Sequence, residues 1–383
     1  MKTLYSLFLC AGLFLLPSVS TVDAQTEVHS SVKREIGRAL DKAVTWLCDQ
    51  QKEEGYWGSD QYPALTALSL RSIMGHPSSD IQKEYSDQIE QGFSFLRTKV
   101  QSDGGIYGKG LASYNTSLSL LAFLQKNDAQ DAKIIETARR FIINQQSDFD
   151  RKGENDNLFD GGVGYGSTWA HSDLSNTHLA LEALYYAKNR IKQAEQNLVD
   201  LDWDAAIDFV SKCQNLPTSN KQEWVSSSPD DRGGFVYFPG KSMAGETQDE
   251  SGKVSLRSYG SMSYAGLLSF IYADMKADDS RVLAVRDWLS KNFSVNENPG
   301  MGQQGLYYYY HTMSKALSLS NVDQIKNNDG DSIDWRQELA FKLFDLQTPE
   351  GYWVNESGRW WEKDPVLVSC YAILTLERVY YGL

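Results

Sequence analysis

Two stretches near opposite ends of this 383-residue chain obey one rule. Gln51-Lys52-Glu53-Glu54-Gly55-Tyr56-Trp57 and Gln347-Thr348-Pro349-Glu350-Gly351-Tyr352-Trp353 both read Q-x3-G-x-W. A glutamine at a helix end, a glycine free to take positive φ and a flat indole that can lie back over the turn make a helix-terminating corner. The same corner at both ends implies an internal repeat, and a repeat restricts the chain to stacked or closed arrays of one unit.

The unit can be read from its surroundings. Between Ser31 and Gln51 the apolar residues Ile36, Leu40, Ala43, Val44 and Leu47 fall at helical spacing with charges between them, so this is an amphipathic helix. Beyond the corner, Pro63 to Met74 is apolar on most sides, as expected of a helix buried on more than one face. A bulky residue followed four positions later by Gln, Asn or a stand-in gives a register: Trp46 with Gln50, Phe95 with Lys99, Phe141 with Gln145, Phe209 with Cys213, Trp288 with Asn292, and Leu343 with Gln347. Corners are expected at Gly55, Gly105, Gly162, Gly234, Gly305 and Gly351, each with an aromatic close behind. Charge-poor second helices are expected at 63–74, 114–125, 173–187, 259–273, 308–319 and 365–380.

Six such hairpins predict an all-α (α/α)6 toroid, with the amphipathic helices outside and the apolar ones forming the inner wall. An open solenoid would need polar caps at its ends. Here the terminal repeats carry the best copies of the motif, which favours closure of the first repeat on the last. Nine prolines and 12% aromatic residues suit one large helical domain over 25–383. Polar insertions at 147–160, 215–232 and 240–256 are candidates for a rim around a central cavity.

Residues 1–24 have the pattern of a cleaved signal peptide: Lys2, an apolar run from Leu4 to Leu16, and Val22-Asp23-Ala24 before the cut. No later stretch reaches the length of a membrane span, so a secreted or periplasmic location is expected. A net charge of −13 disfavours nucleic acid and anionic membranes as partners. Cys48, Cys213 and Cys370 stand among apolar neighbours without a framework spacing and read as buried free thiols.

The Q-x3-G-x-W corners and six hairpins resemble the squalene-hopene cyclase and protein prenyltransferase β-subunit superfamily over residues 33–382. The resemblance implies the toroid and a central binding cavity. Cyclases of that group carry D-x-D-D-T at the start of an inner helix, the middle aspartic acid donating the proton. The matching segment here is Asp173-Leu174-Ser175-Asn176-Thr177, with Ser175 at the donor position. Tyr309-Tyr310-His311-Thr312 is similar to the prenyltransferase segment with the zinc-binding histidine, but Arg257 to Tyr264 lacks the accompanying aspartate and cysteine. No cysteine stands in a G-C-G-E-Q thioester context. The expectation is therefore a divergent member with no metal and no cofactor.

Polar and aromatic residues just after the corners are the candidate site, because the first turns of inner helices point to one mouth of the ring. Asp173, His311, Tyr310 and Tyr259 are the catalytic candidates. Tyr114, Asn115, Trp169, His171, Asn176, Arg257, Tyr264, Tyr307 and Asp364 are the ligand-binding ones. Asp173, flanked by Ser172 and Ser175, reads first as the cap of the helix that begins at Leu174 and second as a catalytic acid. The run Tyr307–Tyr310 must place tyrosines on several helix faces, one toward the lumen and one toward the core. Such a lumen suits an apolar or ring-stacking ligand, an isoprenoid-like small molecule or a glycan. The alternatives are a glycan-cleaving (α/α)6 enzyme using its carboxylates, and a noncatalytic interaction module.

Overall fold

The structure, a computed structural model, describes residues 21–166, 171–191, 199–326 and 330–383. The expected leader lies mostly outside these residues, as does Trp169.

Six outer helices, α1 (Thr21–Asp49), α4 (Ser86–Thr98), α6 (Ala132–Ile143), α8 (Trp203–Lys212), α10 (Ser280–Lys291) and α12 (Trp335–Leu346), surround six inner ones. The inner helices are α2 (Pro63–Met74), α5 (Ala112–Lys126), α7 (Leu174–Ile191), α9 (Gly260–Tyr272), α11 (Leu306–Leu319) and α13 (Pro365–Gly382). Each inner helix packs on the next, and α13 packs on α2, so the ring is closed. A short helix, α3 (Ser79–Glu84), precedes α4, and two small antiparallel hairpins, β1–β2 (Glu246–Gln248, Val254–Leu256) and β3–β4 (Ile325–Lys326, Ser332–Ile333), decorate the connections.

The corner glutamines explain both the repeat and its closure. Gln51 Nε2 donates to Gly55 O within its own corner (3.0 Å) and to Gln88 O at the start of the next outer helix (2.9 Å). Gln146 ties Gly161 O to Asp202 O, and Gln214 ties Gly233 O to Arg281 O, in the same way. Gln347, in the last repeat, donates to Gly351 O (2.8 Å) and to Ala39 O of α1 (2.9 Å), joining the end of the ring to its beginning. Trp46 of α1 stacks on Tyr352 at 4.8 Å across the same seam.

The indoles lie back as the motif requires. Trp57 Nε1 donates to Leu47 O (2.7 Å) and Trp353 Nε1 to Leu343 O (2.8 Å), satisfying carbonyls that a helix end leaves open. The backbone N–H of each corner residue is received by a hydroxyl of the following inner helix: Trp57 by Thr66, Ile106 by Thr116, Val163 by Thr177, Phe235 by Ser263 and Trp353 by Ser369.

These bonds correct the expected register. The equivalent glutamines are Gln51, Gln146, Gln214 and Gln347, so the pairs through Gln50, Gln145 and Cys213 stand one residue early. The left-handed glycines are Gly104, Gly161 and Gly233, one before those expected, because the second glycine of each Gly-Gly pair packs under an aromatic. The fifth corner differs. Gly305 is the N-cap of α11 at φ 66°, and Leu306 and Tyr307 already belong to that helix. Cys48, Cys213 and Cys370 are buried free thiols.

Candidate functional site

All six inner helices present their N-termini to one mouth of the ring, which leaves a set of backbone N–H donors and positive dipole ends there. Much of the rim polarity in the sequence is spent on these donors. Asn115 Oδ1 accepts from Ala64 N of α2 (3.0 Å), and Asn298 Oδ1 from Ser261 N of α9 (2.9 Å). Asp364 caps α13 through Val366 N (2.9 Å). Glu362 Oε1 accepts from Tyr308 N of α11 (2.9 Å) while Oε2 takes the Asn355 amide (2.6 Å). Asp173 caps α7, accepting from Asn176 N (2.9 Å), the Asn176 amide (2.8 Å) and the Ser175 hydroxyl (2.7 Å).

Inside these caps lies a cavity of about 830 Å³. Its wall is aromatic and aliphatic: Tyr62, Tyr114, Tyr165, Tyr237, Tyr259, Tyr308 and Tyr371, with Leu65, Leu68, Leu179, Met262 and Leu367. Trp360 and Trp361 stand at its mouth, with Trp361 against Tyr62 at 5.1 Å. Both tryptophans have left-handed backbone, φ 55° and 66°, a conformation that costs a side-chain-bearing residue about 1 kcal/mol or more. The rim is thus the segment 358–364, and no residue of the three expected insertions lines the cavity.

Besides the capping Asp364, two buried carboxyls border this space: Glu362, which forms no ion pair among the described residues, and Asp173, on which His171 acts. Burial pushes both the Asp173 and the Glu362 carboxyls above their ordinary range, although each accepts several hydrogen bonds that oppose the shift. Glu362 lines the cavity directly; Asp173 lies behind Ser175, whose hydroxyl faces the space. The Tyr165 and Tyr237 hydroxyls reach each other and Ser175, so one wall carries a connected polar patch backed by Asp173. Across it, the Tyr114 and Tyr371 hydroxyls pair at 3.4 Å, and burial pushes Tyr114 up to about 12.

Deeper in the lumen the inner helices continue as polar stripes, one helical turn below another. On α11, Tyr308 leads to His311 and Lys315; on α7, Ser175 leads to His178 and Glu182. The Tyr308 hydroxyl meets His178 Nδ1 at 3.4 Å, and His311 lies on Tyr371 at 5.4 Å. Lys315 Nζ bonds both Glu182 oxygens at 2.9 and 2.7 Å, each side chain 2% exposed. Burial works against the Glu182 carboxylate, but Lys315 and Arg71 together outweigh it and hold the carboxyl below its usual range. Burial, reinforced by Lys315, pushes His178 down to about 4 and His311 well below the usual histidine value.

The structure brings Tyr259, Tyr114, Asn115 and Asp364 to the cavity, and Asp173 and Asn176 immediately behind it. His311 belongs to the lumen below. Tyr310 does not line the cavity: its hydroxyl donates to Val295 O at 2.5 Å, on the core side of α11. Tyr264 and Tyr307 are buried in ring contacts with Tyr309 and Tyr310, and Arg257 is exposed. His171 packs against Phe238 at 4.6 Å, outside the cavity lining. Sequence reasoning missed Glu362, Tyr371 and the Glu182–Lys315 pair. The spacing of His311 and Lys315, and of His178 and Glu182, along otherwise apolar helices was the available signal.

No family model and no curated protein matches the sequence. Solved structures share the closed helical toroid. The type II terpene cyclase MstE from Scytonema, in its apo form, superposes with a TM-score of 0.55 at 12% identity, over 92% of this chain and 99% of that one. A variant of that enzyme holding geranylgeranyl dihydroxybenzoate as substrate gives 0.57 at 12%, over 92% and 100%. The α-1,6-mannanase of Salegentibacter sp. HEL1_6 gives 0.58 at 10%, over 91% and 100%. The likeness is one of fold.

Proposed function

We propose that the protein binds an apolar, isoprenoid-like ligand in the central cavity and acts on it by proton donation. The cavity wall carries this reading: tyrosine rings and aliphatic side chains surround a space of about 830 Å³, at the larger end of ordinary ligand pockets. Protonated carboxyls are the acids such chemistry needs, and aromatic faces stabilise the cation that protonation of an alkene leaves behind. Glu362, a cavity-lining carboxyl whose proton affinity is raised by burial, is the donor; Asp173 orients the Ser175 hydroxyl. The terpene cyclase among the structural neighbours, crystallised with geranylgeranyl dihydroxybenzoate, supports the same ligand class.

A glycan is the weaker reading. An inactive form of the neighbouring mannanase is altered at two consecutive aspartates. The consecutive pairs here do not line the cavity: Asp231 accepts from Ser258 N, and Asp279 caps α10. Export through residues 1–24 belongs to the same proposal, and N-terminal sequencing of the mature protein tests it.

The binding experiment uses the tryptophans at the mouth. Geranylgeraniol is expected to change their fluorescence saturably in the wild type and not in Leu68→Trp, which fills the cavity, whereas α-1,6-mannotriose leaves it unchanged. Saturable binding of mannotriose with none of geranylgeraniol would reverse the assignment. Product analysis with geranylgeranyl-bearing aromatics then separates binding from turnover: Glu362→Gln is expected to keep the first and lose the second.

A further inference from the structure

The opposite mouth of the ring has its own pocket, of about 490 Å³, where the C-terminal ends of α2, α5, α11 and α13 converge. Arg71, Arg336 and Arg378 line it, together with Gln125, Ser318 and Glu377. Three guanidinium groups at one pocket stand out in a chain of net charge −13.

Their hydrogen bonding is incomplete. Arg336 reaches Asp323 at 3.2 Å and Arg71 reaches the Gln125 amide oxygen at 3.3 Å. Among the described residues neither Arg71 nor Arg378 forms an ion pair. Arg71 Nη1, Arg378 Nη1 and Arg336 Nε are buried with no hydrogen-bond partner, and Arg336 is 8% exposed. Burial lowers the pKa of Arg378; Tyr272 and Glu182 oppose the shift, and Arg71 adds a smaller like-charge repulsion.

The contrast with the upper mouth gives these atoms meaning. There, carboxyls at helix N-termini are bonded to backbone donors. Here, Arg71 and Arg378 near the C-termini of α2 and α13 complement the negative dipole ends in charge, while Arg336 comes from the first turn of α12, and all three leave N–H groups without acceptors. A buried donor without an acceptor loses the desolvation energy of a hydrogen bond, about 1–3 kcal/mol. Guanidinium forks with free N–H groups match the paired oxygens of a phosphate or carboxylate. Glu377, 5% exposed in the same pocket, opposes this less than a free carboxylate would, because burial raises its carboxyl well above the usual range, with Arg378 and Arg71 acting the other way.

We propose that the second mouth is an oxyanion-binding site, with Arg71 and Arg378 as the principal ligands and Arg336 as the third. It is independent of the ligand in the upper cavity. The groups facing the anion are these arginines, Glu377, Gln125 and Ser318, with the Lys315–Glu182 pair one turn further into the lumen on α11 and α7.

Isothermal titration of the full chain at constant ionic strength, with inorganic phosphate and separately with acetate, tests the proposal. Binding of either is expected, and the two arms tell a tetrahedral anion from a carboxylate. Affinity should fall about tenfold or more in Arg71→Gln and in Arg378→Gln. Should a glutamine variant fail to fold, Arg378→Lys keeps the charge without the fork, and a loss of affinity in it supports the same assignment. Geranylgeraniol binding in the upper cavity should be unchanged in these variants. Absence of binding by either anion at about 10 mM, or equal affinity in wild type and variants, overturns the proposal.

Discussion

Removing the amine of Lys315, as in Lys315→Met, leaves the Glu182 carboxylate in a site where it is 2% exposed. In the intact pair, contacts of 2.7 and 2.9 Å are worth about 4–6 kcal/mol at an effective dielectric near 20, enough to hold the carboxyl ionised against burial. Breaking one side of a buried pair costs about 3–5 kcal/mol, a large share of the 5–15 kcal/mol that a domain typically has. The lower end is expected, because the Arg71 charge still acts on Glu182. Glu182→Met with Lys315→Met removes both desolvation penalties and is expected to return to within about 1 kcal/mol of wild type. Urea denaturation followed by circular dichroism measures all three. The pH dependence gives a second check on Lys315→Met. Without its partner, Glu182 has a folded-state pKa above its unfolded value, so the deficit is smallest below the unfolded pKa and grows as pH rises through the folded one. A Lys315→Met cost under about 1 kcal/mol, or a double variant no better than the single one, would refute the reasoning.

Burial depresses the folded-state pKa of His178 from 6.5 to about 4, so its contribution to stability is complete above pH 6.5 and is lost as pH falls toward 4. The loss reaches about 3 kcal/mol, and His178→Leu should flatten the stability profile in that window, which denaturant titrations between pH 7 and 4 would reveal. Gln347→Ala deletes two hydrogen bonds at the seam of the ring, costing about 1–3 kcal/mol, and amide exchange in α1 and α12 should rise before exchange in α5 or α7 does.

Much of the site remained hidden in the sequence because rim residues serve two masters. Asn115, Asp173 and Asp364 are conspicuous polar residues at helix starts, and they are conspicuous because helix starts need acceptors. Glu362 sits in a charged stretch, Glu362-Lys363-Asp364, that looks like exposed loop; its burial comes from a different repeat, α11, whose end it caps. The tyrosine run illustrates the limit of periodicity. It requires that tyrosines face different ways, and the choice of Tyr308 for the lumen and Tyr310 for the core depends on where α11 begins, which the irregular fifth corner hides. Asn355, which matches a glycosylation pattern, is buried with its amide bonded to Gln303 O and Glu362.

What the chain determined by itself is the repeat: a glutamine, a glycine of positive φ and an aromatic specify a local corner, and alternating amphipathic and apolar helices specify a double layer. These are short-range properties, set by backbone conformation and by which faces must leave water. Tertiary structure decided what the ring encloses. Only closure, with Gln347 reaching Ala39, brings Glu362 beside Tyr308, sets Lys315 against Glu182 across 133 residues, and gathers Arg71 with Arg378 at the far mouth. Those encounters arise because six helices from distant parts of the chain share one axis, and no local pattern records which of their turns will meet.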